Sequence, residues 1–428
     1  YSINTSSTLD VVMDGSDENT YRGTDSNENI DASNYTPSSG ADGIVVYGAG
    51  GDDVIKGSNY NDYISTTSGD NIIIENGGTN IIVSGSGDDI VVLGGASNNS
   101  VRDMGGNNTI YAQSTGKNTI TLGSGDDEIN ITSGTNSINA GNGLNTLNVG
   151  DTEFDANGNL ISLSDTQSNN TITTGSNADE INLYVGTNKV TTGAGNDTIN
   201  IMGGTNNVSI LSGANSVTIS ASDTITSANG GKNTISTGSG SDTFEIGAGN
   251  NTIKTGAGND VVVINGKSTN NISSTSGTNK YTVTETAVDS KNTIKGGSGR
   301  DTFDMYEGIN NLNGGTGSDM YYLYGGTNTI VDTSGSEYFG IFGGSNNIKS
   351  STGNNSFVVK GYYTDINGNV VVTNGGTNTL VAGSGKDTFN IYSGIKNNIN
   401  GATGNDIYNI FAGNRNIITD ASGNDRFN

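Results

Sequence analysis

Residues 297–359, cut every nine residues, read GSGRDTFDM, YEGINNLNG, GTGSDMYYL, YGGTNTIVD, TSGSEYFGI, FGGSNNIKS and STGNNSFVV. Each line opens on a glycine-rich turn of five residues. It closes on four residues that alternate polar with apolar, as a half-buried strand does. The unit is x-x-G-x-(Asp or Asn)-x-U-x-x, with U apolar. The same cut fits GSGDDEINI from Gly123, and five consecutive lines from Gly175, GSNADEINL through LSGANSVTI. With breaks allowed for, nonapeptides run from Gly48 to Asn428. Self-similarity at a fixed period marks a solenoid.

A finer period of eighteen lies beneath. Turns ending in Asp alternate with turns ending in Asn: Asp179, Asn188, Asp197, Asn206, and later Asn292, Asp301, Asn310, Asp319, Asn328. The apolar position two residues on keeps the same beat. Phe303, Tyr321, Phe339 and Phe357 stand eighteen apart, with Leu312, Ile330 and Ile348 between them. Two nonapeptides therefore make one coil of strand, turn, strand, turn, with aromatics on one column and aliphatics on the other. The expected fold is all-β: a parallel β-roll, that is, a two-sheet β-solenoid of about 18 residues per coil. Some 21 coils at a strand spacing of about 4.8 Å would build an elongated rod on the order of 100 Å. No helix is expected.

Composition agrees and narrows the chemistry. The 428 residues include 67 Gly and one Pro, and no Cys, His or Trp; 18 Lys and Arg face 43 Asp and Glu, a net charge of −25. Without His and Cys there is no Ser-His-Asp triad, no thiol nucleophile, and no imidazole- or thiolate-held metal. The acidic balance argues against nucleic acid, whose phosphates need clustered Lys and Arg. The longest apolar run, Met320 to Tyr324, is far too short for membrane insertion. Hard-cation chemistry with oxygen ligands remains. The acidic side chains are spread too evenly to nominate a general acid–base pair, so no enzyme is expected.

The turns resemble those of the repeats-in-toxin (RTX) family, whose nonapeptide is G-G-x-G-x-D-x-U-x. GGSGRDTFD from Gly296 and GGTGSDMYY from Gly314 match it; AGSGKDTFN from Ala382 and YGAGGDDVI from Tyr47 come near. The resemblance covers most of the chain and implies a long β-roll of the kind found in bacterial RTX-type S-layer and surface proteins. It further implies multiple Ca²⁺ ions, bound by the turn Asp and backbone carbonyls. Carried over by position, the ligands would be Asp52, Asp62, Asp89, Asp127, Asp179, Asp197, Asp242, Asp260, Asp301, Asp319, Asp387, Asp406 and Asp425.

Physical chemistry supports the same assignment. Glycine lets turn carbonyls swing inward, and one carboxylate per coil with its neighbours' carbonyls supplies the hard oxygens that Ca²⁺ prefers. The competing reading, Asx residues capping their own turns, leaves stacked carboxylates to repel one another. The other edge departs from the family, reading GGTN, GTN or GGSN, as at Gly325–Asn328 and Gly375–Asn378. An asparagine ladder is expected there. So the roll should be lopsided, with calcium on one edge and amides on the other. The Asp column lapses at Glu337 and Asn355, where ion sites should weaken. The alternation also slips where Asn136 and Asn145 follow Asp127.

Two longer interruptions, near 151–170 (DANGNLI from Asp155) and 360–373 (DINGNVV from Asp365), read as Asn-Gly hairpins projecting from the rod. Neither is an EF-hand, since Thr166 and Gly376 stand where that loop needs Glu. As surface insertions they are tolerable, and as lateral contacts between rods they would serve assembly. Residues 1–43 are acidic, polar and out of register, a cap or linker ahead of the 44–428 roll. The chain reads as a piece of a longer protein. The function expected is a non-catalytic, calcium-stabilised structural protein, an S-layer, sheath or filament component. It would be secreted, at the cell surface of a Gram-negative bacterium, and self-assembling. The alternatives are the stalk of an RTX adhesin binding a glycan or cell-surface ligand, and the calcium-binding tail of a secreted toxin, protease or lipase.

Overall fold

The computed structural model describes residues 10–12, 19–38, 40, 42–154, 160–164, 168–220, 230–365 and 367–428. The chain forms two compact units, Tyr1–Ser212 with Ser222–Gly231, and Gly213–Ala221 with Lys232–Asn428. Each is a β-solenoid with two parallel sheets, and no helix occurs among the described residues.

In the second unit one sheet runs through Thr302–Met305, Met320–Leu323, Tyr338–Ile341 and Ser356–Val359, paired in parallel and in register. The other runs through Ile309–Asn313, Thr327–Asp332 and Ser345–Ser350. The first unit repeats the plan, as in Glu128–Ile131 beside Thr146–Val149 and Lys117–Thr121 beside Thr135–Asn139. Where nothing is inserted, the register advances 18 or 19 residues per coil, as Met320↔Tyr338 and Asn99↔Asn118 show.

Strand alternation makes the core. Side chains of Thr302–Met305 are in turn half-buried and buried, and the pattern recurs coil after coil. In the second unit the buried column is aromatic from Tyr281 onward: Tyr281, Phe303, Tyr321, Phe339, Phe357, Phe389 and Tyr408 stack with centroids 4.7–5.1 Å apart. The coil rise sets that spacing. In the first unit Ile129, Leu147, Ile181 and Ile199 hold the same column. The core is one or two side chains wide, which is how 31 % hydrophobic residues suffice.

Within the segment expected as a cap or linker, Thr20–Arg22 pairs in parallel with Val45–Tyr47, and Asn29–Asp31 with Val54–Lys56. The interruption near 360–373 is an antiparallel hairpin, Tyr362–Thr364 with Val370–Val372. It turns at Asn367-Gly368, where Asp365 Oδ1 accepts the amides of Asn367 (2.9 Å) and Asn369 (2.7 Å). It does not simply project. Tyr363 lies edge-on against Tyr306, Tyr324 and Phe342, outward-facing rings of three successive coils, with centroids at 6.4, 4.6 and 5.8 Å. The interruption near 151–170 pairs Asp151–Phe154 with Leu160–Ser164 antiparallel. Residues 155–159 and Thr166 lie outside the described residues.

Candidate metal centre

The two edges of each unit are built differently, and hydrogen bonds show how. On one edge the side-chain amides form a chain. Asn310 Nδ2 donates to Asn328 Oδ1 (2.9 Å), Asn328 to Asn346 (2.8 Å), Asn346 to Asn378 (2.8 Å) and Asn378 to Asn397 (2.8 Å). The second amide proton goes to the residue's own turn, as from Asn328 to Gly325 O at 2.9 Å. The first unit has the same chain from Asn80 through Asn99, Asn118, Asn136, Asn170 and Asn188 to Asn206. An amide carries donor and acceptor together, so identical residues can satisfy one another without limit along a stack. This is the asparagine ladder expected from the sequence.

On the opposite edge a buried column accepts backbone N–H groups instead. Asp301 N–H donates to Asp319 Oδ1 (2.8 Å), Asp387 N–H to Asp406 Oδ1 (2.8 Å) and Asp406 N–H to Asp425 Oδ1 (2.9 Å). In the first unit Asn71 donates to Asp89 (2.7 Å), Asn108 to Asp127 (2.8 Å) and Asn145 to Asp179 (3.0 Å). Asp89, Asp127, Asp179, Asp197, Asp242, Asp260, Asp301, Asp319, Asp387 and Asp406 are all buried in this column, with Asp425 half-exposed at its last described coil.

Two of the thirteen sequence-chosen residues stand elsewhere. Asp52 is exposed, and its neighbour Asp53 holds the column position, its Oδ1 accepting Glu28 N–H at 2.9 Å. The doublet Asp52-Asp53 offered two registers, and burial selects the second. Asp62 belongs to the amide edge: its N–H donates to Asn80 Oδ1 (2.9 Å), while its carboxylate takes Ile44 N–H (2.8 Å) and both donors of Ser58. At Asn145 the alternation of Asp and Asn lapses as expected, while the coil register holds. Asn71, Asn108, Asn145, Asn279 and Asn355 occupy the Asp column itself, because an amide oxygen accepts the same N–H. Glu337 also enters the column by its N–H, which donates to Asn355 Oδ1 at 3.0 Å.

The second carboxylate oxygen of the column is the chemically open group. Oδ2 of Asp53, Asp89, Asp127, Asp179, Asp242, Asp260, Asp301, Asp319, Asp387 and Asp406 is buried and has no hydrogen-bond partner. Burial pushes the carboxyls up, to about 7 at Asp53, Asp89 and Asp319 and about 6 at Asp127, Asp301 and Asp387. Backbone carbonyls come to the same places: a Cβ on Gly296 would collide with Asp301 Oδ2 and lie 2.6 Å from Gly314 O. Orphaned carboxylate oxygens beside turn carbonyls make an all-oxygen donor set, which fits Ca²⁺.

Carboxylates missed from the sequence stand at strand ends, Asp103, Asp332 and Asp420 facing the column and Glu75 facing Asp62 on the amide edge. Glu75, Asp103 and Asp332 are buried, and Asp420 is half-buried. Asp103 is fully bonded, to Ser84 Oγ (2.8 Å), Gly105 N–H (2.7 Å) and Asn108 Nδ2 (2.9 Å). Their signal was an acid where neighbouring coils place a small or apolar residue, such as Ser350 beside Asp332 or Leu93 beside Glu75.

A family model of the RTX calcium-binding nonapeptide repeat (four copies) matches residues 47–74, 56–91, 93–129, 165–199, 227–262, 287–305 and 363–390. No curated protein matches the chain. RTX nonapeptide repeats bind calcium, their β-roll domains are generally non-catalytic, and they are typical of secreted bacterial proteins. Among the described residues no helix is long and apolar enough to cross a membrane. These matches, and the coil they fold into, show that RTX calcium-binding nonapeptide repeats recur across the chain.

Proposed function

We propose that this chain is a calcium-stabilised, non-catalytic structural protein of the bacterial cell surface, an S-layer, sheath or filament component that folds after secretion. The observation that carries the reading is the spacing of orphaned carboxylates along the column. In much of the first unit Asp and Asn take turns, so Asp53, Asp89 and Asp127 are separated by Asn71 and Asn108. In the second unit the acids come consecutively, as Asp242 with Asp260, Asp301 with Asp319, and Asp387 with Asp406 and Asp425. Adjacent buried carboxylates about 4.8 Å apart repel strongly unless a cation joins them. Ca²⁺ held by the paired Oδ2 atoms and turn carbonyls would remove that penalty, and its binding free energy would appear as folding free energy. Asp179–Asp197 would be such a pair in the first unit.

A chain that stays extended at low calcium and closes outside the cell suits export. Circular dichroism through a calcium titration should show strand signal rising with calcium. Full strand signal in excess chelator at neutral pH would refute the mechanism. Assembly is supported by the outer face of the 360–373 hairpin, where Tyr362, Val370 and Val372 are 51, 64 and 81 % exposed. Electron microscopy of the protein with calcium should show ordered sheets or filaments. Dispersed particles that bind a glycan surface would favour the adhesin stalk instead.

A further inference from the structure

Two coils of the second unit carry one constellation twice. Gly314, Asp319, Tyr321 and Asp332 recur as Gly401, Asp406, Tyr408 and Asp420, with one residue more between Tyr and the last Asp. In each, the tyrosine hydroxyl donates to the strand-end carboxylate: Tyr321 Oη to Asp332 Oδ2 at 2.6 Å, and Tyr408 Oη to Asp420 Oδ2 at 2.6 Å. The glycine leaves the space. A Cβ on Gly314 would collide with Asp319 Oδ2 and lie 2.6 Å from both Asp332 Oδ2 and Tyr321 Oη. A Cβ on Gly401 would meet Asp406 Oδ2, Tyr408 Oη and, at 2.9 Å, Asp420 Oδ2. In the second copy Asp425 joins as well, and carboxylate oxygens of Asp406, Asp420 and Asp425 lie within 4.8 Å of one another.

The oxygens that converge here are not spent elsewhere. Asp319 and Asp406 are 0 % exposed, and their Oδ2 atoms, like Asp420 Oδ1, have no hydrogen-bond partner. Their Oδ1 atoms accept backbone N–H groups, and the tyrosines donate to the facing acids, so these bonds oppose burial and favour the ionised carboxylates. Two ionised carboxylates buried side by side call for a cation. We infer that Asp332 and Asp420 are metal ligands in their own right. Each completes, with Asp319 in one coil and with Asp406 and Asp425 in the other, a multi-carboxylate site for a hard divalent cation. Tyr321 and Tyr408 are positioning residues that hold the added carboxylate. The inference deepens the calcium reading above and rests on it for the identity of the cation.

The test uses the full chain with terbium as the probe and calcium as competitor. The chain has 18 Tyr and no Trp, so only tyrosine sensitises terbium emission. The paired variant D332N/D420N keeps an acceptor for each hydroxyl and should lose one bound ion per substituted coil in equilibrium dialysis. Y321F/Y408F should retain the ions more weakly, by about tenfold, with reduced sensitised emission. Stability should cross over: in chelator D332N/D420N melts no lower than the parent, and in saturating calcium it melts lower. An unchanged ion count, or a variant at least as stable as the parent in both conditions, overturns the inference in favour of a proton shared between the acids. A parent chain that binds neither terbium nor calcium overturns the calcium reading and this inference with it.

Discussion

At the scale of single residues, the two edges separate two uses of nearly the same side chain. Asn and Asp both offer the oxygen that the buried column needs, which is why Asn71 and Asn108 stand in a column otherwise acidic. Only Asn can continue the opposite ladder, because each member must also donate. Asn328→Ala removes its bonds to Gly325 O and Asn346 Oδ1 and strips Asn310 of its acceptor. A cost of about 3 kcal/mol is expected in urea unfolding, with or without calcium. Asp319→Asn should behave otherwise. It keeps the acceptor for Asp301 N–H while deleting a buried charge, so in chelator its urea midpoint should equal or exceed that of the parent. With calcium present it should fall below. The positions of the buried column were legible from the motif except at Asp52, where adjacent acids left two registers open, and at Asp62, which stands on the amide edge.

At the scale of elements, the turns and the hairpin show what periodicity can and cannot say. Gly315 holds φ +101°, and a Cβ there would collide with Gly297 O of the preceding coil. Gly315→Ala should therefore cost roughly 2 kcal/mol or more, read as a lowered melting temperature. The hairpin at 360–373 was evident from its Asn-Gly turn, but its docking was not. Tyr306, Tyr324 and Phe342 stand eighteen apart in the sequence, yet stacking turns them into an outward aromatic row at 4.3 and 5.1 Å. Tyr363 covers that row. Tyr363→Ala should free the hairpin, seen as faster proteolysis near residue 367 with the roll's strand signal retained.

At the scale of the whole molecule, the acidic column links stability to pH and calcium together. Burial raises the column carboxyls to about 6 or 7 in the metal-free fold, above their unfolded values near 3.8. The folded chain thus binds more protons than the unfolded one between those limits. That stabilisation is complete below the unfolded value and is lost as pH rises through the folded one. In chelator the protein should be more stable at pH 4 than at pH 8, and acid should restore strand signal that calcium removal abolishes at pH 8. With saturating calcium the trend should reverse, because protons then compete with the ions. Thermal melts across pH in both conditions would measure this. A metal-free chain that gains stability from pH 4 to pH 8 would contradict the buried column.

The sequence by itself determined the coil. A solenoid's contacts are between neighbouring repeats, so a nonapeptide of turn glycine, edge Asp or Asn and alternating strand already states nearly every local interaction. Strand positions, the aromatic column and the asparagine ladder were all legible for that reason. What only the tertiary structure decided is which atoms meet across a corner. Asp332 and Asp420 lie eleven and twelve residues beyond the tyrosines that hold them, and Asp53 rather than Asp52 turns inward. These outcomes depend on which side chain the closing coil buries and on the space a missing Cβ leaves. The nine-residue pattern does not encode them, because an acid at a strand end or a doubled Asp leaves its beat unchanged.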